Sequence, residues 1–210
     1  MSLDAPLLTP RRPAAPARPG VREGQRVQAL LAGLGGAVVV RVAMAGPAGV
    51  RSAPAGLVFA ALLLALTVTA GTRAVLAPGS PRRQLTTGLG GAAVLCAVPL
   101  VVHIRTPGAA LPVGELPMWA AIVTVVAVAE EALLRGALWS AAERWRGTRT
   151  ALPATTFAFA LLHVPLYGWE VLPLDLAVGL LLGGLRMAAG GWGAPAVAHT
   201  VADLAGWWLR

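Results

Sequence analysis

Residues 116–142 read LPMWAAIVTVVAVAEEALLRGALWSAA. This run is longer than the roughly 20 apolar residues that a helix needs to cross a bilayer. It nevertheless carries Glu130, Glu131 and Arg135 within six positions. One charge at the centre of a spanning helix costs about 2.5–3.5 kcal/mol on insertion scales, so these three need partners inside the protein. The segment therefore predicts a membrane helix whose charged turn faces other helices.

The whole chain has the composition of an integral membrane protein. Of its 210 residues, 57% are apolar and 12% are charged, and its mean hydropathy is +0.71. A soluble domain carries about 25% charged residues, so this chain has too little charge to cover a water-facing surface. Its apolar content also excludes a disordered chain. The basic residues are all Arg and lie between apolar runs, which argues against nucleic-acid binding.

Apolar segments along the whole chain, 116–142 among them, predict an all-α bundle of about seven spanning helices, within a range of six to eight. The predicted segments are 27–46, 54–77, 85–103, 116–142, 151–166, 170–189 and 192–209. Residues 1–26 are rich in Pro and Arg, which predicts a flexible cytoplasmic tail that is dispensable for activity. Residues 27–210 are predicted to form a single transmembrane domain.

The positions of the Arg residues predict how the bundle is oriented. With the N-terminus in the cytoplasm, twelve Arg residues fall on the cytoplasmic side and three fall outside. Cytoplasmic loops of membrane proteins carry such an excess of basic residues. We therefore expect an integral protein of a bacterial plasma membrane, with its N-terminus inside and its C-terminus outside.

Two further apolar segments contain ionisable side chains. The fifth holds Phe159-Ala-Leu-Leu-His163, and the seventh holds His199-Thr-Val-Ala-Asp203. His199 and Asp203 are four positions apart and can interact on one helix face. At 1.5 Å per residue, His163 lies about 20 Å, and His199 and Asp203 about 10–16 Å, from the cytoplasmic ends of their segments.

The charged turn of 116–142 fits the same layer of the membrane. Glu130 lies about 20 Å from the cytoplasmic end of its segment. Glu131 and Arg135 are four positions apart and can pair. Glu130 is rotated by about 100° from Glu131, so it is left to face another group. Because ionisable groups inside a membrane face a shared polar cavity, three helices are predicted to form one site.

This set of side chains suits attack by water on a carbonyl group. Glu130 would take a proton from the water, while His163 and His199 would hold the water or stabilise the oxyanion. The same groups could instead bind a divalent metal ion such as zinc, which would then activate the water. Each motif also fits a purely structural role, as a snorkelling helix end or a hydrogen-bonded packing histidine.

The order Glu-Glu-x-x-x-Arg, Phe-x-x-x-His, His-x-x-x-Asp resembles the CPBP family of intramembrane proteases, also called the CAAX protease and bacteriocin-processing (Abi) family. It includes the type II CAAX prenyl endopeptidases. The resemblance covers about residues 115–209. It implies an intramembrane endopeptidase acting on a membrane protein or a lipidated peptide. Its candidate catalytic residues here are Glu130, Glu131, Arg135, His163, His199 and Asp203.

Within this resemblance, Glu130 and His163 would activate the water, and His199 and Asp203 would help to form the oxyanion site. Asp203 stands where many relatives have Asn, which changes the charge around the histidines. Two other functions stay open. One is a non-catalytic immunity or regulatory membrane protein on the same scaffold. The other is a small transporter, which would show an inverted repeat with broken helices in both halves.

Overall fold

The computed structural model describes residues 19–71, 79–106 and 113–209, and the regular structure in these ranges is helical. The α-helices are α1 (Pro19–Ala45), α2 (Ala53–Thr69), α3 (Pro81–Arg105), α4 (Leu116–Glu131), α5 (Trp139–Arg146), α6 (Thr148–Tyr167), α7 (Leu172–Ala189) and α8 (Gly193–Ala205). A π-helical segment, Ala132–Leu138, joins α4 to α5 as one rod. Short 3-10 turns cover Gly46–Arg51, Val113–Glu115 and Trp169–Val171.

These helices confirm the predicted all-α membrane bundle. Five stretches have the length and apolar composition to cross a bilayer: Gly20–Ala45, Pro81–Arg105, Leu116–Arg146, Thr148–Tyr167 and Trp169–Ala189. Helix α2 is apolar but has 17 residues, and α8 has 13. All seven predicted segments thus correspond to helices, two of which are shorter than a full span.

The boundary of the predicted tail differs from the start of the first helix. Helix α1 begins at Pro19, so residues 19–26 are helical. In this stretch Glu23 pairs with Arg144 at the end of α5, with Oε2 and Nη2 3.1 Å apart. The remainder of the predicted tail, residues 1–18, lies outside the described residues, as does 72–77 of the second predicted segment.

The rod formed by α4, the π-helical segment and α5 occupies the centre of the bundle. Every residue from 129 to 139 is buried, whereas the other long helices have an exposed apolar face. The core that the rod forms with its neighbouring helices includes Phe59, Leu63, Leu133, Trp139, Phe159 and Leu182. A helix that is buried on all sides can carry charges only where neighbouring helices supply partners. The bundle therefore places the charged turn at its centre.

The lipid-facing surface is apolar, as a membrane bundle requires. Large apolar side chains are exposed on the outer helices, among them Val39, Val68, Val98, Ile104 and Leu174. Helices α3 and α8 pack closely because α3 presents Gly88 and Gly91 to α8. Small residues let helix backbones approach in lipid. This packing fixes the position of α8, which carries His199 and Asp203.

Candidate active site

The glutamate pair at the end of α4 is buried, with side chains that face different partners. Glu131 Oε1 accepts a hydrogen bond from Arg135 Nη1 at 2.9 Å, as the spacing of four residues predicts. Arg135 also donates from Nη2 to the Gly179 carbonyl oxygen of α7 at 3.3 Å. Glu131 and Arg135 are both fully shielded from solvent. The prediction of a Glu131–Arg135 pair is confirmed.

Glu130 faces helix α1 instead. Its Oε1 lies 3.7 Å from Nη1 of Arg41, and both side chains are almost completely buried. The Arg41 guanidinium stacks over the Phe59 ring of α2, 4.7 Å from its centroid. Arg41 thus compensates the charge of the second carboxylate, and it does so from a part of the chain that precedes all three motifs.

His199 of α8 connects two of the motifs. A carboxylate can only accept, so His199 Nδ1 donates to Glu131 Oε1, at 3.0 Å. The other ring nitrogen, Nε2, lies 3.7 Å from Asp203 Oδ2. The predicted proximity of His199 and Asp203 is present, but the short hydrogen bond of this ring goes to Glu131. The glutamate therefore holds Arg135 and His199 with the same oxygen atom.

His163 of α6 is oriented by its own helix. A carbonyl oxygen can only accept, so His163 Nδ1 donates to the Phe159 carbonyl oxygen, at 2.9 Å. Asp175 Oδ2 of α7 lies 3.9 Å from the same nitrogen. In the neutral ring this leaves Nε2 as the acceptor. The tautomer of His163 is therefore set by the backbone, with a carboxylate nearby.

The Phe159 ring fills the space between the polar groups. Its centroid lies 4.6 Å from that of the His163 ring and 5.5 Å from that of the His199 ring. The Arg135 guanidinium lies over the same ring, at 4.7 Å. Phe159 thus packs against three side chains of the site. This explains the aromatic residue of the Phe-x-x-x-His motif as a packing element.

A cavity of about 860 Å³ brings the three motifs to one surface. Its wall includes Glu130, His163, His199 and Asp203 together with Arg41. The lining also includes apolar side chains, among them Met118, Trp119, Ile122, Val126 and Trp207. Glu131 and Arg135 do not line the cavity. They lie behind it, against the wall that His199 forms.

The arrangement of the donor groups bears on the metal-ion alternative. Within residues 19–71, 79–106 and 113–209, no three His, Cys, Asp or Glu side chains are placed so that they could hold one metal ion. Glu130 faces Arg41, and Glu131 is shared by Arg135 and His199. As arranged, these donors do not fit a metal ion, and no step below depends on one.

Two residues of this region have no role in the sequence motifs. Arg41 is a charge within an apolar span, the same signal that marks the glutamates, but the sequence does not indicate its partner. Asp175 lies near the start of the α7 segment, where a charge is ordinary. Its closeness to His163 follows only from the packing of α6 against α7.

The fold and the site define a polytopic helical membrane protein with an internal, partly polar cavity at the centre of its bundle. Residues 112–205 match the family model described as "Rce1-like: Type II CAAX prenyl endopeptidase Rce1-like". This match confirms the resemblance to the CPBP, or CAAX protease, family over the part of the chain that carries the site. No curated protein and no solved structure matches the chain.

Proposed function

We propose that this protein is an intramembrane endopeptidase that hydrolyses a peptide bond with water activated by Glu130 and His163. The observation that carries the proposal is that Glu130, His163 and His199, from three separate helices, line one cavity. The family match supports a CAAX-protease-type endopeptidase in general. The contacts of the site support the roles that we propose for single residues.

Glu130 is the general base of the proposed reaction. The Arg41 guanidinium, 3.7 Å away, favours the ionised carboxylate that a base requires. The water oxygen forms a bond to the carbonyl carbon of the substrate, and its proton passes to Glu130. The carbon–nitrogen bond then breaks, and the nitrogen leaves as an amine with the proton returned by Glu130. The products are a new carboxyl terminus and a new amino terminus.

His163 orients the attacking water. Its Nδ1 proton is committed to the Phe159 carbonyl oxygen, so Nε2 can accept a hydrogen bond from the water. A water held by both Glu130 and His163 has one lone pair directed at the substrate carbonyl. Holding reactants in this way removes part of the entropic barrier to reaction.

His199 stabilises the oxyanion in this scheme. With a proton on each nitrogen, its ring donates from Nδ1 to Glu131 and keeps Nε2–H for the developing negative charge. Asp203, 3.7 Å from Nε2, supports that protonated form. Glu131, Arg135 and Asp203 are positioning residues, since they act through His199.

The shape of the cavity supports a membrane-associated substrate. Its lining combines the ionisable groups with aromatic and aliphatic side chains next to them. An extended peptide with an apolar residue beside the cleaved bond would contact both kinds of side chain. A segment of a membrane protein or a lipidated peptide has this character.

Substituting Glu130→Gln tests the proposal. The amide keeps the volume of the side chain but cannot take a proton, so cleavage should fall by about 100-fold or more. We expect new amino termini in membrane fractions that contain the wild-type protein and not in fractions that contain the variant. Glu170→Gln, an exposed residue outside the cavity wall, is the matched control.

Full biological activity of the Glu130→Gln variant would overturn the proposed enzymatic function. It would support the alternative of a non-catalytic regulatory membrane protein. Ion flux through reconstituted vesicles that depends on Glu130 would support the transporter. Loss of cleavage on treatment with a chelator, restored by zinc, would show that a metal ion joins the site during the reaction.

A further inference from the structure

The two ends of the bundle differ in charge. One end is formed by the start of α1, the end of α5, the start of α3 and the end of α7. Two contacts join these elements: Arg144 to Glu23, with Nη2 and Oε2 3.1 Å apart, and Arg83 Nη2 to the Ala188 carbonyl oxygen at 2.6 Å. We call this the arginine end.

Seven described Arg residues lie at the surface of the arginine end, within 22–26, 82–83 and 144–149. The acidic residues beside them are Glu23 and Glu143. At the opposite end, the described charges at the surface are Arg51 and Arg105 together with Glu115 and Glu170, and Asp175 and Asp203 are partly exposed there. Basic residues are retained on the cytoplasmic side of membranes, so the arginine end is the cytoplasmic one.

The cavity opens at the opposite end. Its outer wall comes from the turn between α1 and α2, at 50–53, and from 114–119 at the start of α4. Tyr167 at the end of α6 and residues 206–207 after α8 complete this wall. The arginine end contributes nothing to the lining, and the π-helical segment and α5 separate it from the site.

We propose that the cavity is entered from the extracytoplasmic side of the membrane. Resting on the proposed function, this identifies the substrate class as exported or membrane-anchored polypeptides whose cleaved segment lies at the outer surface. A cytoplasmic lipidated tail would meet the closed, arginine-rich end of the bundle. The cavity mouth carries charges of both signs and no excess of Arg like that of the arginine end.

Thiol accessibility tests this orientation without any need for a substrate. Cys96 is the single cysteine of the chain, so Cys96→Ser gives a background free of thiols. Ser52→Cys places a thiol on the cavity rim, and Ser80→Cys places one at the arginine end. Neither serine hydroxyl caps the helix that follows it, so the two substitutions are matched and mild.

In intact spheroplasts, a membrane-impermeant maleimide should label Ser52→Cys at least tenfold more than Ser80→Cys. After permeabilisation both should be labelled. A second pair, Glu115→Cys at the rim and Arg149→Cys at the arginine end, should give the same pattern. Labelling of the arginine-end thiols in intact spheroplasts, or failure of both rim thiols to label there, would overturn the proposal.

The labelling result and the proposed function can fail separately. If Glu130→Gln keeps full activity while the rim thiols react from outside, the endopeptidase function is excluded. Entry to the cavity from the extracytoplasmic side is then still supported. If Glu130→Gln loses cleavage while the rim thiols react only after permeabilisation, the endopeptidase function is supported and extracytoplasmic entry is overturned. The substrates are then cytoplasmic.

Discussion

At the scale of single residues, Glu131 links the first and third motifs. One of its oxygen atoms accepts from Arg135 and from His199, while Oε2 has no hydrogen-bond partner among the described residues. Such a buried group depends on its cationic neighbours, since removing one of two buried ionic partners leaves a charge without compensation. The motif residues that do not line the cavity therefore carry much of the stability of the site.

Arg135→Ala should accordingly destabilise the protein more than it alters chemistry directly. We expect the free energy of unfolding to fall by about 3–5 kcal/mol, because Glu131 is left in a buried site with only His199 as partner. Thermal unfolding in detergent measures this loss, with Arg149→Ala at the surface as the control. Equal melting temperatures for the two variants would show that the pair contributes nothing to folding.

Asp175→Asn should lower catalysis without unfolding the protein. The Asp175 carboxylate lies 3.9 Å from His163 Nδ1, where its charge polarises the N–H bond and makes Nε2 a stronger hydrogen-bond acceptor for the attacking water. We expect kcat to fall by about tenfold with KM unchanged, and Asp175→Glu to recover most of it. Kinetics on a peptide identified from the new amino termini would measure both constants. A change confined to KM would instead make Asp175 a substrate-binding residue.

At the scale of elements, the π-helical segment Ala132–Leu138 follows the glutamate pair directly. Wider turns of this kind leave backbone groups without their usual helical partners and occur often at functional sites. Arg186 of α7 donates from Nε to the Arg135 carbonyl oxygen at 3.0 Å, which fills one such position. The apolar run of residues 116–142 contains no signal for this change of helical pitch.

The close approach of α3 and α8 depends on the absence of a side chain at Gly88. A Cβ atom on Gly88 would lie 2.6 Å from Val197 Cβ and 2.7 Å from the Ala194 carbonyl oxygen, whereas one on Gly90 would contact nothing. Gly88→Ala should therefore push α8 away and destabilise the protein by about 1–3 kcal/mol. It should also reduce cleavage, because His199 moves with α8.

Gly90→Ala is the matched control for this pair of helices, since it adds the same methyl group on the open side of α3. It should leave both the melting temperature and the cleavage rate close to wild type. If both alanine variants behaved alike, close packing of α3 on α8 would not determine where His199 lies.

At the scale of the whole molecule, the central rod and the first helix are held together at the arginine end. Glu23 pairs with Arg144, and Gly24 lies against the Trp145 ring, where an added Cβ would be 3.0 Å from Nε1. Helix α1 also supplies Arg41 to the site. The N-terminal half of the chain therefore completes a cavity whose motifs all lie in the C-terminal half.

Deletions separate the tail from this helix. Residues 2–18 are rich in Pro and Arg, a composition that cannot bury a core, so their removal should leave activity and melting temperature close to wild type. Removing residues 2–26 also deletes the Glu23–Arg144 pair and the turn that packs on Trp145, and it should lower the melting temperature. Fluorescence-detected unfolding in detergent measures both. Inactivation by the shorter deletion would assign residues 2–18 a role.

The amino-acid sequence by itself determined the helical membrane bundle, the order of the three motifs and the Glu131–Arg135 pair. Each of these depends on local composition or on a spacing of four residues along one helix. The tertiary structure alone decided that Arg41 faces Glu130, that His199 bonds to Glu131 and that Asp175 approaches His163. These contacts join distant parts of the chain, and helix packing sets their geometry, which no periodicity within a single segment records.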